Sequence, residues 1–240
     1  MQIFIAKDLN ELSEQLVDWV TEYIETVLKN QDRFTWVLSG GNTPKKLYQL
    51  LSSEKYKNKI DWQKLHFFWG DERYVPFDDE RNNAKMCFDN LLNNVNVRQD
   101  QIHVMRTDIE PEQSTLEYEK ILHEYFPDAA HSFDLVMLGM GNDGHTLSLF
   151  PGYDTIHEKK HWVRSVYLKE QSMHRITLTA SVVNAADRII FITSGSDKAT
   201  ALSHVLSHDY DPDLYPSQAI QPNNGELYWW IDEAAATGLK

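Results

Sequence analysis

Phe133-Asp134-Leu135-Val136-Met137-Leu138-Gly139-Met140-Gly141-Asn142-Asp143-Gly144-His145-Thr146 passes from an apolar run straight into a glycine-rich turn. The run at 133–138 is short and lacks the three-and-four spacing of a helix, so it reads as a buried strand. Runs of the same kind recur at 34–38, 65–69, 102–105, 162–168, 176–178 and 188–193. Between many of them lie helical patterns, at 44–51, 82–92, 111–126 and 196–206. Strands alternating with helices imply crossover connections, and therefore an α/β fold with a mainly parallel sheet flanked by helices. From Asp8 to Asn30, Leu12, Leu16, Trp19, Val20, Tyr23, Ile24, Val27 and Leu28 mark a long amphipathic helix, with Asp8 and Glu11 placed as a capping box. Pro212, Pro216 and Pro222 punctuate a late loop before an apolar run at 227–231 and an Ala-rich end. With no repeat, low-complexity tract or flexible linker, the reading is one domain over 1–240.

Composition narrows the functional classes. The 240 residues carry 36 acidic and 23 basic side chains, a formal charge of −13. Such a surface repels nucleic acid and anionic lipid unless its few cations are concentrated in one place. Cys87 is the single cysteine, so neither an intramolecular disulfide nor a cysteine-based zinc site is expected. No basic region leads into an apolar stretch at the amino terminus, and no window reaches the length of a membrane span. A cytoplasmic chain that binds neither nucleic acid nor membrane is expected.

In open α/β sheets ligands bind beyond the carboxyl ends of the strands, and four loops there are unusual. In Leu38-Ser39-Gly40-Gly41-Asn42-Thr43-Pro44-Lys45-Lys46, paired glycines precede a helix start, with Thr43 as candidate cap and Pro44 in the first turn. Backbone N–H groups there can cradle an anion; a plain tight strand-to-helix turn fits the residues as well. The Gly-Lys-Ser/Thr ending of a P-loop is missing. Trp69-Gly70-Asp71-Glu72-Arg73-Tyr74-Val75-Pro76 sets three adjacent charges after a strand, and Arg73 offers a planar fork of donors to an oxyanion. Taken alone it also reads as a solvated loop.

The third loop is the opening one. Gly139, Gly141 and Gly144 make a literal G-x-G-x-x-G, yet Asp143 would put a negative charge in a pyrophosphate turn, and Pro151 leaves little room for the required helix. What the loop offers is His145 beyond a strand end, with Asp143 two residues away to orient it; histidine is the usual general base near neutrality. A structural histidine remains an open alternative on these residues alone. The fourth loop, Ser194-Gly195-Ser196-Asp197-Lys198-Ala199, sets Lys198 in a first helical turn against the macrodipole, which suits a counter-anion or a solvent-facing lysine. His157-Glu158-Lys159-Lys160-His161 matches H-E-x-x-H, but Gly152 upstream and a strand starting right after His161 deny it the continuous helix a zinc peptidase needs. It reads as a polar surface turn, and no metal is expected.

Together these loops resemble the glucosamine-6-phosphate isomerase/6-phosphogluconolactonase family. The likeness runs through 38–47, 69–76 with Asn82-Asn83, 133–152, 175–179 and 195–199, and is most specific in the stretch 141–152 combined with Asp71-Glu72-Arg73. It implies the deaminase/ribose-5-phosphate isomerase-like fold and hydrolysis of 6-phospho-D-glucono-1,5-lactone to 6-phospho-D-gluconate, in the oxidative pentose phosphate route. It implies that His145 is the catalytic residue and that Asp71 and Arg73 line the lactone site, and with Asp143 orienting the histidine the expected catalytic set is His145, Arg73, Asp71 and Asp143. Gly40, Gly41, Asn42, Thr43, Arg175 and Lys198 would hold the phosphate end. No cofactor is implied, and a monomer or weak homo-oligomer is expected. The chain departs from the family pattern at Asn42, at Asn82, and at Gln171-Ser172-Met173-His174, which replaces a proline-rich segment. Deaminases of the group carry a glutamate shortly after the loop histidine; here Thr146, Leu147, Ser148, Leu149 and Phe150 follow.

Overall fold

In a computed structural model, which describes residues 1–128, 130–207 and 209–239, six strands form one sheet. Its order is β1 (Gln2–Ala6), β9 (Glu226–Asp232), β8 (Arg188–Thr193), β5 (Leu135–Gly139), β2 (Phe34–Leu38), β3 (Leu65–Trp69), and every pairing is parallel. Strands buried on both faces should be apolar without alternation, and all five residues of β2 are buried. Phe34, Trp36 and Leu38 face one core. There they meet α1 (Leu9–Leu28) through Leu12, Leu16, Val20 and Ile24, and α2 (Asn42–Leu51) through Leu47, Tyr48 and Leu51. Val37 faces the other core, with Tyr118 and Leu122 of α4 (Pro111–Tyr125) and Leu202 and Val205 of α6 (Ala199–Val205). Each large apolar side chain so buried contributes about 1.5–3 kcal/mol. Two helical layers thereby fix the strand ends in space.

The chain leaves β2 through α2 toward β3 on one side, and leaves β5 toward β8 on the other. The carboxyl ends of β2 and β5 are thus a topological switch point, where a crevice must open. Over that crevice lies a second sheet of β4 (Asp71–Arg73), β7 (Met173–Leu178) and β6 (Val163–Leu168), both pairings antiparallel. It joins the main sheet through Gly70, whose carbonyl accepts Leu178 N–H at 2.8 Å and whose N–H reaches Leu38 O at 3.2 Å. A Cβ on Gly70 would come within 2.6 Å of the Leu147 side-chain tip, so a larger residue at this crossing would push Leu147 aside.

Several local expectations change. Residues 102–105 are not a strand: Ile102 makes a single bridge to Phe67, Ile102 and Val104 pack half-buried against one core, and Met105 is buried in the other. The helix after β2 starts at Asn42 with Gly41 (φ 99°) as its cap, so Thr43 lies inside the first turn and caps nothing. Asp8 does cap α1, accepting Asn10 and Glu11 N–H, but Glu11 reaches back to Lys7 N–H and not to Asp8. The charged strand β4 carries no apolar run and escapes a reading by periodicity, and the edge strand β1, apolar only over Ile3-Phe4-Ile5-Ala6 and largely exposed, is a strand that the pattern of buried runs does not include. Among the described residues no helix is long and apolar enough to cross a membrane.

Candidate active site

A cavity of about 490 Å³ sits in the crevice, lined by Gly40, Gly41, Asn42, Thr43, Asp71, Arg73, His145, Arg175 and Lys198 among others. Asp143 does not line it but stands behind His145. The turn after β2 contributes the start of a ten-residue helix, whose first N–H groups have no intrahelical acceptor. Gly40 is packed so tightly on Asn83 that an added Cβ would lie 1.8 Å from its Oδ1.

The loop after β5 forms no helix. Gly141 N–H donates to His145 O (2.8 Å), Gly144 takes the left-handed conformation (φ 81°), and Ser217 clamps Gly144 O through N–H (2.9 Å) and hydroxyl (2.8 Å). Presented this way, His145 Nδ1 lies 2.6 Å from Asp143 Oδ1, and the ring stacks on Phe150 with centroids 4.0 Å apart. Burial works against the Asp143 charge, but the hydrogen bond and charge of His145, with backbone N–H donation, hold its carboxyl below the ordinary value. An ionised carboxylate facing Nδ1 accepts a hydrogen bond from an N–H there, which in the neutral imidazole leaves the Nε2 lone pair free.

The small sheet sets the opposite wall. Its register pairs Arg73 directly with Arg175, and Asp71 with Thr177. Like charges opposed across a ladder repel, so the pair favours an anion between or beside them. Burial draws the Arg175 pKa down; Asp71 opposes that and Arg73 adds to it. Asp71 is itself a hub. Its Oδ2 accepts Ser148 Oγ–H at 2.7 Å and lies 3.8 Å from Arg175 Nη1, while Oδ1 is 3.3 Å from Asn83 Nδ2. Arg73 Nη1 donates to Arg81 O at 2.8 Å. Lys198 reaches the cavity with its ammonium 3.4 Å from Asp197. Arg73 Nε, Arg175 Nε and Thr193 Oγ1 are buried without a partner among the described residues, and all three residues line the cavity.

Beneath the wall lies Glu72, 1% exposed, whose carboxylate accepts Arg73 N–H (2.8 Å), Asn83 N–H (2.7 Å) and Ala84 N–H (2.8 Å). It ties β4 to the start of α3 (Asn83–Asn90), where the macrodipole welcomes a negative charge. Burial nonetheless pushes its carboxyl up to about 7. Glu72, Ser148 and Phe150 lie inside the stretches that carry the family likeness, but their places follow from contacts, Glu72 with the Asn83 and Ala84 N–H groups, Ser148 with Asp71 and Phe150 with His145. The His157/His161 pair is split between different partners, Asp213 (2.6 Å) and Glu119 (3.4 Å), as a surface turn requires. Among the described residues no cluster of three or more His, Cys, Asp or Glu could hold a metal.

The family model described as glucosamine-6-phosphate isomerases/6-phosphogluconolactonase matches residues 7–229. A 6-phosphogluconolactonase from a Nostoc species is 38% identical over 239 residues, covering 98% of this chain and 97% of the relative. The crystal structure of 6-phosphogluconolactonase from Thermotoga maritima superposes with a TM-score of 0.84 at 26% identity, covering 97% of this chain and 99% of that one. A monomeric glucosamine-6-phosphate deaminase shares the fold, with a TM-score of 0.85 at 20% identity over 99% of this chain and 100% of that one.

Proposed function

The chain belongs to the glucosamine-6-phosphate isomerase/6-phosphogluconolactonase family, and we propose that its site works as a lactonase through His145. The reaction is hydrolysis of 6-phospho-D-glucono-1,5-lactone to 6-phospho-D-gluconate, in the oxidative pentose phosphate route. The observation that carries the assignment of roles is one cavity with a carboxylate-oriented imidazole on one wall and Arg73, Arg175 and Lys198 on the others.

An ester carbonyl is already electrophilic, so hydrolysis needs a base for water, a donor for the tetrahedral oxyanion and a grip on the remote phosphate. His145 Nε2 takes a proton as water oxygen bonds to the lactone carbonyl carbon. The resulting imidazolium is stabilised by Asp143 and returns the proton to the ring oxygen as that bond breaks. Arg73, its backbone N–H fixed by Glu72 and its neighbour Asp71 fixed by Ser148 and Asn83, faces the oxyanion or a sugar hydroxyl. Gly40, Gly41, Asn42 and Thr43 with Arg175 and Lys198 take the phosphate, converting remote binding energy into orientation at the carbonyl. These three cations are the local concentration of positive charge that a chain of −13 needs to attract a phosphorylated sugar. The scheme uses no metal or organic cofactor, and the chain acts in the cytoplasm as a monomer or weak homo-oligomer, without nucleic acid or membrane.

The test is a coupled assay in which the lactone is generated from glucose 6-phosphate and its disappearance is timed with and without the chain. Faster disappearance is expected; decay at the spontaneous rate would overturn the reading.

A further inference from the structure

Arg175 is 7% exposed and held from two sides, with Nη1 3.8 Å from Asp71 and Nη2 donating to Gln171 Oε1. Gln171 ends a short 3₁₀ turn, Lys169–Gln171, at the tip of the β6–β7 hairpin, just before Ser172 in the left-handed conformation (φ 48°). That tip is anchored to the segment that follows the His145 loop: Tyr153 Oη donates to Glu170 at 2.8 Å and accepts Lys169 N–H at 3.3 Å. Gln171 is therefore exposed yet fixed, and it lines the cavity.

The orientation of its amide is not free. A guanidinium only donates, so the oxygen of Gln171 must face Arg175, and the NH₂ group is the end left over. Among the described residues Nε2 has no partner. That donor end stands on the cavity wall, where it can meet an acceptor of a ligand, and its neighbour is a buried cation with an unpartnered Nε. Arg175 is also connected to the glycine turn, through Asp71 to Asn83 and from Asn83 to Gly40. We infer that Gln171 is a specificity-determining residue for the phosphate end of the substrate, pinning Arg175 with its carbonyl and donating to a phosphate oxygen with its amide. This rests on the lactonase reading and adds a contact that Gln171, outside the glycine, arginine and lysine set, brings from the hairpin tip.

Gln171→Glu separates the two halves of the amide. The carboxylate still accepts from Arg175, but it has no donor and sets a negative charge against the phosphate. Kinetics on the phosphorylated lactone and on plain glucono-1,5-lactone give a ratio of kcat/KM values for the two substrates. Q171E should lower that ratio by at least about tenfold, mainly through KM, as the loss of a charge-assisted contact implies. Q171A, which removes the donor without adding charge, should lower it less. An unchanged ratio in Q171E overturns the inference, whether or not both rates fall, and so does a loss in Q171A as large as that in Q171E. Inorganic phosphate, followed as a thermal-shift ligand of the full chain, should weaken in the same order. If the wild-type chain fails to hydrolyse the phosphorylated lactone but phosphate stabilises it in a Gln171-dependent way, the lactonase reading falls and this one stands.

Discussion

His145 and Asp143 meet twice: Asp143 Oδ1 lies 2.6 Å from the ring Nδ1 and also accepts the His145 backbone N–H at 3.1 Å. One oxygen thus fixes both the backbone and the ring of the same residue two positions on. The double contact selects the tautomer with its proton on Nδ1, and it does so without any element of regular secondary structure.

His145→Ala should lower kcat by about 10² to 10⁴, the range for removal of a positioned general base. Asp143→Asn should cost less, because an amide oxygen can still accept from Nδ1 although it no longer balances an imidazolium. Steady-state rates on the phosphorylated lactone, with melting curves to show intact folding, decide it. Full activity in His145→Ala would remove the histidine from the mechanism.

Glu72 predicts a pH signature in stability. Its carboxyl is raised from the ordinary 4.5 to about 7 by burial, against three backbone N–H donors that work to lower it. The folded chain therefore binds more protons than the unfolded chain between those two values, and the stability from this group falls as pH rises through the window and levels off above it. In Glu72→Gln the group no longer titrates, while its NH₂ is forced toward a backbone donor. Melting temperatures across pH 4.5 to 7 should show the wild type losing its lead over the variant as pH rises; parallel curves would show that Glu72 stays ionised throughout.

How much of this was legible beforehand depends on whether a residue's role is local. The loops at Gly40-Gly41, His145 and Lys198 could be found because each follows an apolar strand, and parallel strands bring such loops to one edge. The loop at Asp71-Glu72-Arg73 stands out in the same way, but its being a strand does not, since the three charges also read as solvated until Glu72 is seen buried under three N–H groups. Nor does periodicity separate the run at 102–105 from a strand: Met105 is 3% exposed, but side chains of α4 and the sheet bury it. The opposition of Arg73 and Arg175 is a register, and register is set by pairing across about a hundred residues of chain.

Exhaustive chelation should leave lactonase activity unchanged. His157 and His161 are held by different carboxylates, and Glu158 spends one oxygen on the Lys160 and His161 N–H groups and the other on Arg164. Those contacts describe a folded turn and not a ligand set facing one point. Activity that disappears with chelator and returns with zinc would show that this segment has been misread.

Lys198→Met separates the phosphate grip from the chemistry. Lys198 lines the cavity at the start of the segment after β8, with Asp197 beside its ammonium at 3.4 Å, in a chain whose net charge of −13 would otherwise repel a dianion. A pair whose carboxylate is solvent-exposed contributes little by itself, so the ammonium remains available to a ligand. Removing a charge-assisted contact should cost roughly 1.5 to 3 kcal/mol, or about ten- to a hundred-fold in kcat/KM. The loss should fall on the phosphorylated lactone far more than on plain glucono-1,5-lactone, because only the first has a phosphate to lose. Kinetics on both substrates with both proteins give the comparison. Equal losses would mean that Lys198 supports the fold or the His145 loop, and the assignment of the phosphate end to Gly40, Gly41 and Lys198 would have to be withdrawn.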